Sequence, residues 1–197
     1  MNRLITVIGP SGVGKTALVQ ALAKTGRFET ALEQHTERPF QTLAKQDSRF
    51  TFANQTDYLL LRAEQEKALR DSSKTGLMDG GLDLDFHGFT RLFLSRNLLS
   101  QNEFDLCRRL YLLTRELLPL PELIVRLKAD EETVADRMSR RKRINIASAD
   151  DTARFNFYLD EWLASVPSDH ILELDVSSES IDYLQSVAAI QNKIEDW

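Results

Sequence analysis

The stretch "GPSGVGKT", Gly9–Thr16, fits the spacing G-x-x-x-x-G-K-[ST] at every defined position. The chemistry that this pattern serves is phosphate binding. Glycines let successive backbone N–H groups curl around a β-phosphate with no side chain in the way, so Gly9, Ser11, Gly12, Val13 and Gly14 are the candidate cradle. Lys15 has the reach and charge for β- and γ-phosphates, and the hydroxyl of Thr16 suits Mg²⁺. An apolar run precedes the motif and a helical pattern follows it, which places a helix N-terminus against the same anion. Asp79 adds a carboxylate, closing the apolar run Thr75–Met78 in the manner of an acid that helps to hold the metal. These residues specify a nucleoside triphosphate and Mg²⁺. They say nothing about what receives the phosphoryl group.

Candidates for the acceptor side lie elsewhere along the chain. Moving a γ-phosphoryl group requires an aligned nucleophile and positive charge over the equatorial oxygens. A carboxylate such as Glu33 can orient and deprotonate a hydroxyl. Gln55 carries both donors and an acceptor, which suits the edge of a nucleobase. The basic run "RMSRRKR" holds Arg137, Arg141 and Arg143, which on a closing segment would neutralise charge and exclude water. Each has a plainer reading as a solvated acid, an exposed helix amide and a solvated basic face. His35, His87 and His170 show no metal-ligand spacing and read as structural. Cys107 reads as a small core residue, and Phe155, Tyr158 and Trp162 as packing.

In order along the chain these segments resemble the deoxynucleoside kinases, which act on deoxycytidine, deoxyguanosine and deoxyadenosine. "LEQHTERP" at Leu32–Pro39 is similar to that family's E-P-V-x-x-N-P, "FANQTDYLLLR" at Phe52–Arg62 to its F-x-x-Q…R helix, and "DGGLDLD" at Asp79–Asp85 to its [DE]-R-S-x-x-x-D. The arginines of "RMSRRKR" have the R-x-x-x-R-x-R spacing of its lid, here around residues 137–147. The resemblance implies ATP- and Mg²⁺-dependent transfer to the 5′-hydroxyl of a deoxynucleoside or nucleoside-like acceptor. It makes Glu33 the catalytic carboxylate, Gln55 the reader of the base edge and Arg62 its support. Asp79 lies by the metal, and Asp85 contacts the base or its arginine partner. It also implies homodimers through helices flanking the substrate side, with Phe50–Arg70 and Ile181–Ile194 as the candidates.

The pattern breaks at two places. Gly80 and Gly81 stand where the family has an arginine bridging the catalytic carboxylate and the reacting oxygen, followed by a serine. After Arg143 comes "INIA", where the family often has glutamates, one of them on the sugar 3′-hydroxyl. Two other readings therefore stand beside the first. One is a P-loop kinase of another small hydroxyl compound, and the other is a non-catalytic nucleotide-binding regulator. Turnover over a panel of acceptors separates the three.

The elements that must position these residues follow from periodicity. Strand-like runs at Leu4–Ile8, Thr75–Met78, Glu122–Ala129 and His170–Val176 alternate with helical patterns. The helices are expected at Lys15–Lys24, Phe50–Arg70, Glu103–Leu118, Asp130–Arg140, Thr152–Val166 and Ile181–Ile194. Such interleaving predicts an α/β fold of the P-loop NTPase type, a parallel sheet covered by helices on both faces. With 197 residues and no composition shift, one domain spanning 1–197 is expected. A net charge of -5 argues against a nucleic-acid partner. The apolar stretch near Met1 is too short for a signal core or a membrane span, and the single cysteine suits a reducing compartment. A cytoplasmic protein is expected.

Overall fold

The computed structural model describes residues 1–31, 38–139, 149–195 and 197. Among these residues the chain runs β1 (Leu4–Ile8), α1 (Lys15–Ala23), β2 (Phe28–Ala31), α2 (Pro39–Gln46), α3 (Thr51–Asp71) and β3 (Thr75–Asp79). A π-helical segment, Leu84–Thr90, leads into α4 (Arg91–Ser95), then α5 (Gln101–Leu117), β4 (Leu123–Lys128), α6 (Glu131–Ser139), α7 (Ala149–Leu163), β5 (Ile171–Asp175) and α8 (Leu184–Lys193). The strands form one sheet in the order β2-β3-β1-β4-β5. Every pairing is parallel. The expected α/β architecture is the one observed.

Burial on both faces explains why the central strands are continuous apolar runs. Ile5 and Val7 point into a core with Leu18, Val19 and Leu22 of α1 and Ile190 of α8. Alternate residues face the other way, Leu4 toward Leu69 of α3 and Ile8 toward Phe155, Leu159 and Trp162 of α7. The edge strands are thinly covered, with no buried residue in β5 and one in β2, and β2, with its single buried Phe28, carries too weak a signal to be expected from the sequence. The same is true of the short α2, which buries no side chain.

Helix α3 does not bury a purely apolar stripe. Ala68 is exposed, and the inward face reads Gln55, Leu59, Arg62, Glu66, Leu69 and Arg70. Four of these six are polar or charged: Gln55 and Arg62 bond residues of the π-helical segment, and Glu66 and Arg70 join a buried chain of ion pairs. Glu66, fully buried, accepts from Arg70 at 3.1 Å and from Arg115 of α5 at 2.7 Å. Arg115 also reaches Asp83 at 3.0 Å, while Arg70 pairs with Glu122, whose carboxylate accepts from the Leu4 N–H at 2.7 Å. This chain of charges ties α3, α5 and the segment after β3 to the start of β1. Losing one member would strand its partner in a low-dielectric interior.

Candidate active site

Parallel sheets of this kind bind ligands beyond the carboxyl ends of their central strands, and both halves of the candidate site lie there. Val7 of β1 pairs in register with Asp79 of β3, so the loop leaving β1 and the acid ending β3 are neighbours. The Gly80 N–H donates to the Val7 carbonyl at 2.9 Å and continues the ladder one residue past the strand.

On the donor side the loop Gly9–Gly14 leads directly into α1. Gly14 caps that helix with φ 113°, a conformation that L side chains rarely adopt. A Cβ there would stand 2.0 Å from the Tyr183 hydroxyl, so the residue must be glycine on packing grounds as well. Val134 and Met138 of α6 pack against Gly12. Arg137, on the same helix, donates to the Val13 carbonyl at 2.7 Å and to the Val176 carbonyl at 2.8 Å, with its guanidinium 6.0 Å from the Tyr183 ring centre. The first arginine of the basic run is thus tied to the phosphate loop itself. Arg141 and Arg143 lie outside the described residues, as does most of the 137–147 lid. Lys15 folds its ammonium onto the carbonyls of Gly9 at 2.9 Å and Pro10 at 3.0 Å.

Thr16 and Asp79 meet where a cation belongs. The Thr16 hydroxyl donates to Asp79 Oδ2 at 2.6 Å. Asp79 is 1% exposed, and its Oδ1 is buried with no hydrogen-bond partner. An orphaned carboxylate oxygen is costly unless something positive completes it. Carboxylate and hydroxyl oxygens are the hard donors that Mg²⁺ takes, so the residues present fit that ion.

The acceptor side is built from side chains of α3 and the π-helical segment. Arg62 Nε donates to Asp85 Oδ2 at 2.7 Å, an ion pair in which both side chains are less than one-tenth exposed. Arg62 Nη1 also donates to Gln65 at 3.1 Å. Gln55 donates through Nε2 to the Asp85 carbonyl at 3.0 Å and to the Thr90 hydroxyl at 2.8 Å. Thr90 passes its own proton to that same carbonyl at 3.0 Å. A carbonyl cannot donate, which fixes the amide orientation and leaves Oε1 as the atom that Gln55 offers a ligand. The structure thus brings Gln55, Arg62 and Asp85 together. Glu33 lies outside the described residues, between Ala31, which ends β2, and Arg38, whose guanidinium grips the carboxylate of Asp57 on α3 in a two-pronged pair.

Two features went unnoticed in the sequence. Gly80 has φ 82° and Gly81 φ 139°, so the unusual "DGG" meets a backbone demand that a side chain would strain. His87 is the second. Its Nε2 stands 3.0 Å from the Tyr111 hydroxyl, which donates to Asp83 at 2.9 Å, and its ring stacks on Trp162. Burial, reinforced by the nearby Arg91 and Arg115 charges, pushes the imidazole down to about 3. His87 is therefore a neutral packing residue that donates from Nε2, in keeping with the structural role expected of it. Burial likewise raises the Cys107 thiol to about 11 and keeps it inert. Only the pattern D-G-G hinted at the first feature, and nothing in the sequence places Tyr111 beside His87.

A phosphate loop and a buried carboxylate at adjoining strand ends define a nucleotide-binding P-loop protein. The comparisons go further: the deoxynucleoside kinase family model matches residues 5–196, and the chain belongs to that family. It is 23% identical over 199 residues to a deoxyadenosine/deoxycytidine kinase of Bacillus subtilis (strain 168), covering 98% of this chain and 91% of the relative. A deoxyguanosine kinase of the same organism is 26% identical over 141 residues, 71% of this chain and 67% of the relative. Among solved structures, deoxyadenosine kinase from M. mycoides with bound dATP superposes with a TM-score of 0.78 at 19% identity, covering 97% of this chain and 98% of that one. The same enzyme with bound dCTP gives 0.78 at 18% identity, covering 98% and 100%. The chain is accordingly a kinase-like phosphotransferase. No helix among the described residues is long and apolar enough to cross a membrane.

Proposed function

We propose that the protein transfers the γ-phosphoryl group of ATP, with Mg²⁺, to the 5′-hydroxyl of a deoxynucleoside. The observation that carries this reading is the orphaned buried Oδ1 of Asp79, hydrogen-bond distance from the phosphate-loop threonine through its other oxygen, beside a walled pair of acceptor-side residues. Thr16 and Asp79 would hold the metal, which neutralises phosphate charge when bound. Lys15 and the loop N–H groups hold the β- and γ-phosphates in line. Glu33 takes the proton from the 5′-hydroxyl as that oxygen bonds to phosphorus. The bond to the β-phosphate oxygen breaks, and ADP leaves. Arg137, Arg141 and Arg143 supply positive charge from the segment around 137–147. Glu33 follows Ala31 by two residues in sequence, and Ala31 pairs with Met78, the neighbour of Asp79, which supports this role.

The orientation of Gln55 sharpens the acceptor class. Both of its N–H groups are committed to the protein, so Oε1 would accept from an amino group on the base. Adenine, cytosine and guanine carry such groups, and thymine does not. The relatives are named as kinases of deoxyadenosine, deoxycytidine and deoxyguanosine, which agrees with that class. Incubation with ATP and Mg²⁺ and each common deoxynucleoside and ribonucleoside, with detection of the 5′-monophosphate, tests the reading. Product with the amino-bearing deoxynucleosides supports it. Phosphorylation of a different hydroxyl compound, or tight ATP binding without turnover, would instead favour the two alternatives.

The same reading includes a homodimer. Leu106, Leu113 and Leu117 are exposed on α5, spaced along one face of the helix, with Leu60 of α3 also exposed. Leu184 of α8 is exposed as well, so α5 joins α3 and α8 as a candidate interface helix. Light scattering of Leu113→Glu should then report monomers where the parent chain reports dimers.

A further inference from the structure

Arg62 has a neighbour that its pairing with Asp85 does not explain. Gly80 has no side chain, and the Arg62 guanidinium and Leu84 flank the space where one would begin. A Cβ on Gly80 would lie 3.3 Å from Arg62 Nη2 and 3.8 Å from its Cζ. Gly80 directly follows Asp79, with a Cα–Cα step of about 3.8 Å. The guanidinium therefore flanks the residue that follows the acid bonded to the phosphate-loop threonine. It is 5% exposed and held through Nε by Asp85 at 2.7 Å and through Nη1 by Gln65 at 3.1 Å, so its direction is fixed before any ligand arrives.

Among the described residues, the cations tied to the phosphate loop lie to one side of it. Lys15 and Arg137 both lie against the phosphate loop, on the donor side. Charge also develops on the oxygens facing the acceptor, and a fixed cation there stabilises the transition state without reorganising. Arg70, Arg115 and Arg126, buried arginines among the described residues, lie in the scaffold's ion pairs away from the end of β3. Among the described residues, Arg62 is the buried arginine that abuts the end of β3.

We propose that Arg62 is the acceptor-side catalytic cation, contacting the phosphoryl group in transfer through the gap that Gly80 leaves open. It does this in addition to orienting Asp85 toward the acceptor. The proposal rests on the deoxynucleoside kinase reading above. It also assigns a reason to the glycine: with φ 82° and the guanidinium at van der Waals distance, residue 80 yields both the backbone turn and the room for Arg62.

A purely base-reading arginine and a catalytic one predict different kinetics. In Arg62→Ala, kcat should fall on the order of 100-fold, by the same factor for each accepted deoxynucleoside, with the KM for ATP nearly unchanged. Guanidinium ion added to the assay should restore part of kcat. Arg62→Lys, which keeps a charge beside Asp85, should lie between. The variant Arg62→Ala/Asp85→Asn removes the stranded carboxylate and guards against simple unfolding; it should recover melting temperature but not kcat. A loss confined to acceptor KM and differing between bases would overturn the proposal, as would recovery of kcat in the double variant. Absence of deoxynucleoside turnover in the unaltered chain would remove the underlying reading and the proposal with it. Normal wild-type turnover with normal kcat in Arg62→Ala would remove the proposal alone.

Discussion

The donor and acceptor halves of the site are made of different materials. The donor half is mostly main chain: a loop whose N–H groups and carbonyls do the work, with Lys15 and Arg137 held on its carbonyls. The acceptor half is mostly side chain: Gln55 and Arg62 of α3 and Asp85 of the π-helical segment, brought together and aimed by buried hydrogen bonds. A main-chain site is set by local conformation and tolerates drift around it. A side-chain site is only as good as the packed helix beneath it. Here that helix is α3, whose inner face is anchored by the Asp83–Arg115–Glu66–Arg70–Glu122 chain of charges. Changes in the two halves should therefore fail in different ways.

The largest effect is expected at Lys15. Lys15→Ala should lower kcat/KM by about 10³–10⁵-fold, the range for losing a positioned cation in phosphoryl transfer, and ATP affinity should drop while melting temperature holds. Intact ATP affinity in calorimetry would dismantle the donor half of the comparison.

Next comes the scaffold of the acceptor half. Glu66 is fully buried between two arginines, so Glu66→Ala should cost about 3–5 kcal/mol of unfolding free energy, read from denaturant titration. A loss below about 1 kcal/mol would mean that the chain of charges does not carry α3. Gln55→Ala should be milder. It removes a buried amide that bonds the Asp85 carbonyl and Thr90, and acceptor KM should rise by the equivalent of about 1–3 kcal/mol with ATP KM unmoved. Equal effects on both substrates would merge the two halves.

How legible this division was in the sequence follows the same line. Glycine spacing announces a main-chain cradle because only particular residues allow its backbone, so Gly9–Thr16 and the strand before it could be read directly. The strong strands β1 and β4 and the long helices were legible for the same local reason. On the acceptor side, Gln55, Arg62 and Asp85 were named through family resemblance, and their mutual contacts are tertiary facts that no local pattern encodes. The ion-pair chain was hidden altogether, because Glu66 and Arg70 on a helix read as solvent-facing charges until α5 supplies Arg115. Gly80 looked like a lost arginine; its positive φ and the guanidinium filling the adjoining space give it a structural purpose.

The smallest effect expected is a pH slope. His87 has an ordinary pKa near 6.5 when unfolded and about 3 when folded, lowered by burial and by Arg91 and Arg115, with the Tyr111 hydroxyl and the Asp83 carboxylate beyond it. A depressed value means that the folded state refuses a proton which the unfolded chain accepts. Its contribution is therefore complete above pH 6.5 and is lost as pH falls toward 3. The slope is at most about 1.4 kcal/mol per pH unit. His87→Gln should flatten the stability curve between pH 6.5 and 4.5 relative to the unaltered chain, and parallel curves would place the acid sensitivity elsewhere.

The separability of the two halves is tested most directly by calorimetric titration of ATP–Mg²⁺ and of an amino-bearing deoxynucleoside into the unaltered protein, Lys15→Ala and Gln55→Ala. The account predicts crossed losses: Lys15→Ala weakens ATP and keeps the deoxynucleoside, while Gln55→Ala weakens the deoxynucleoside and keeps ATP. Parallel losses of both ligands in either folded variant, or an unaltered protein that binds ATP and no deoxynucleoside, would contradict it.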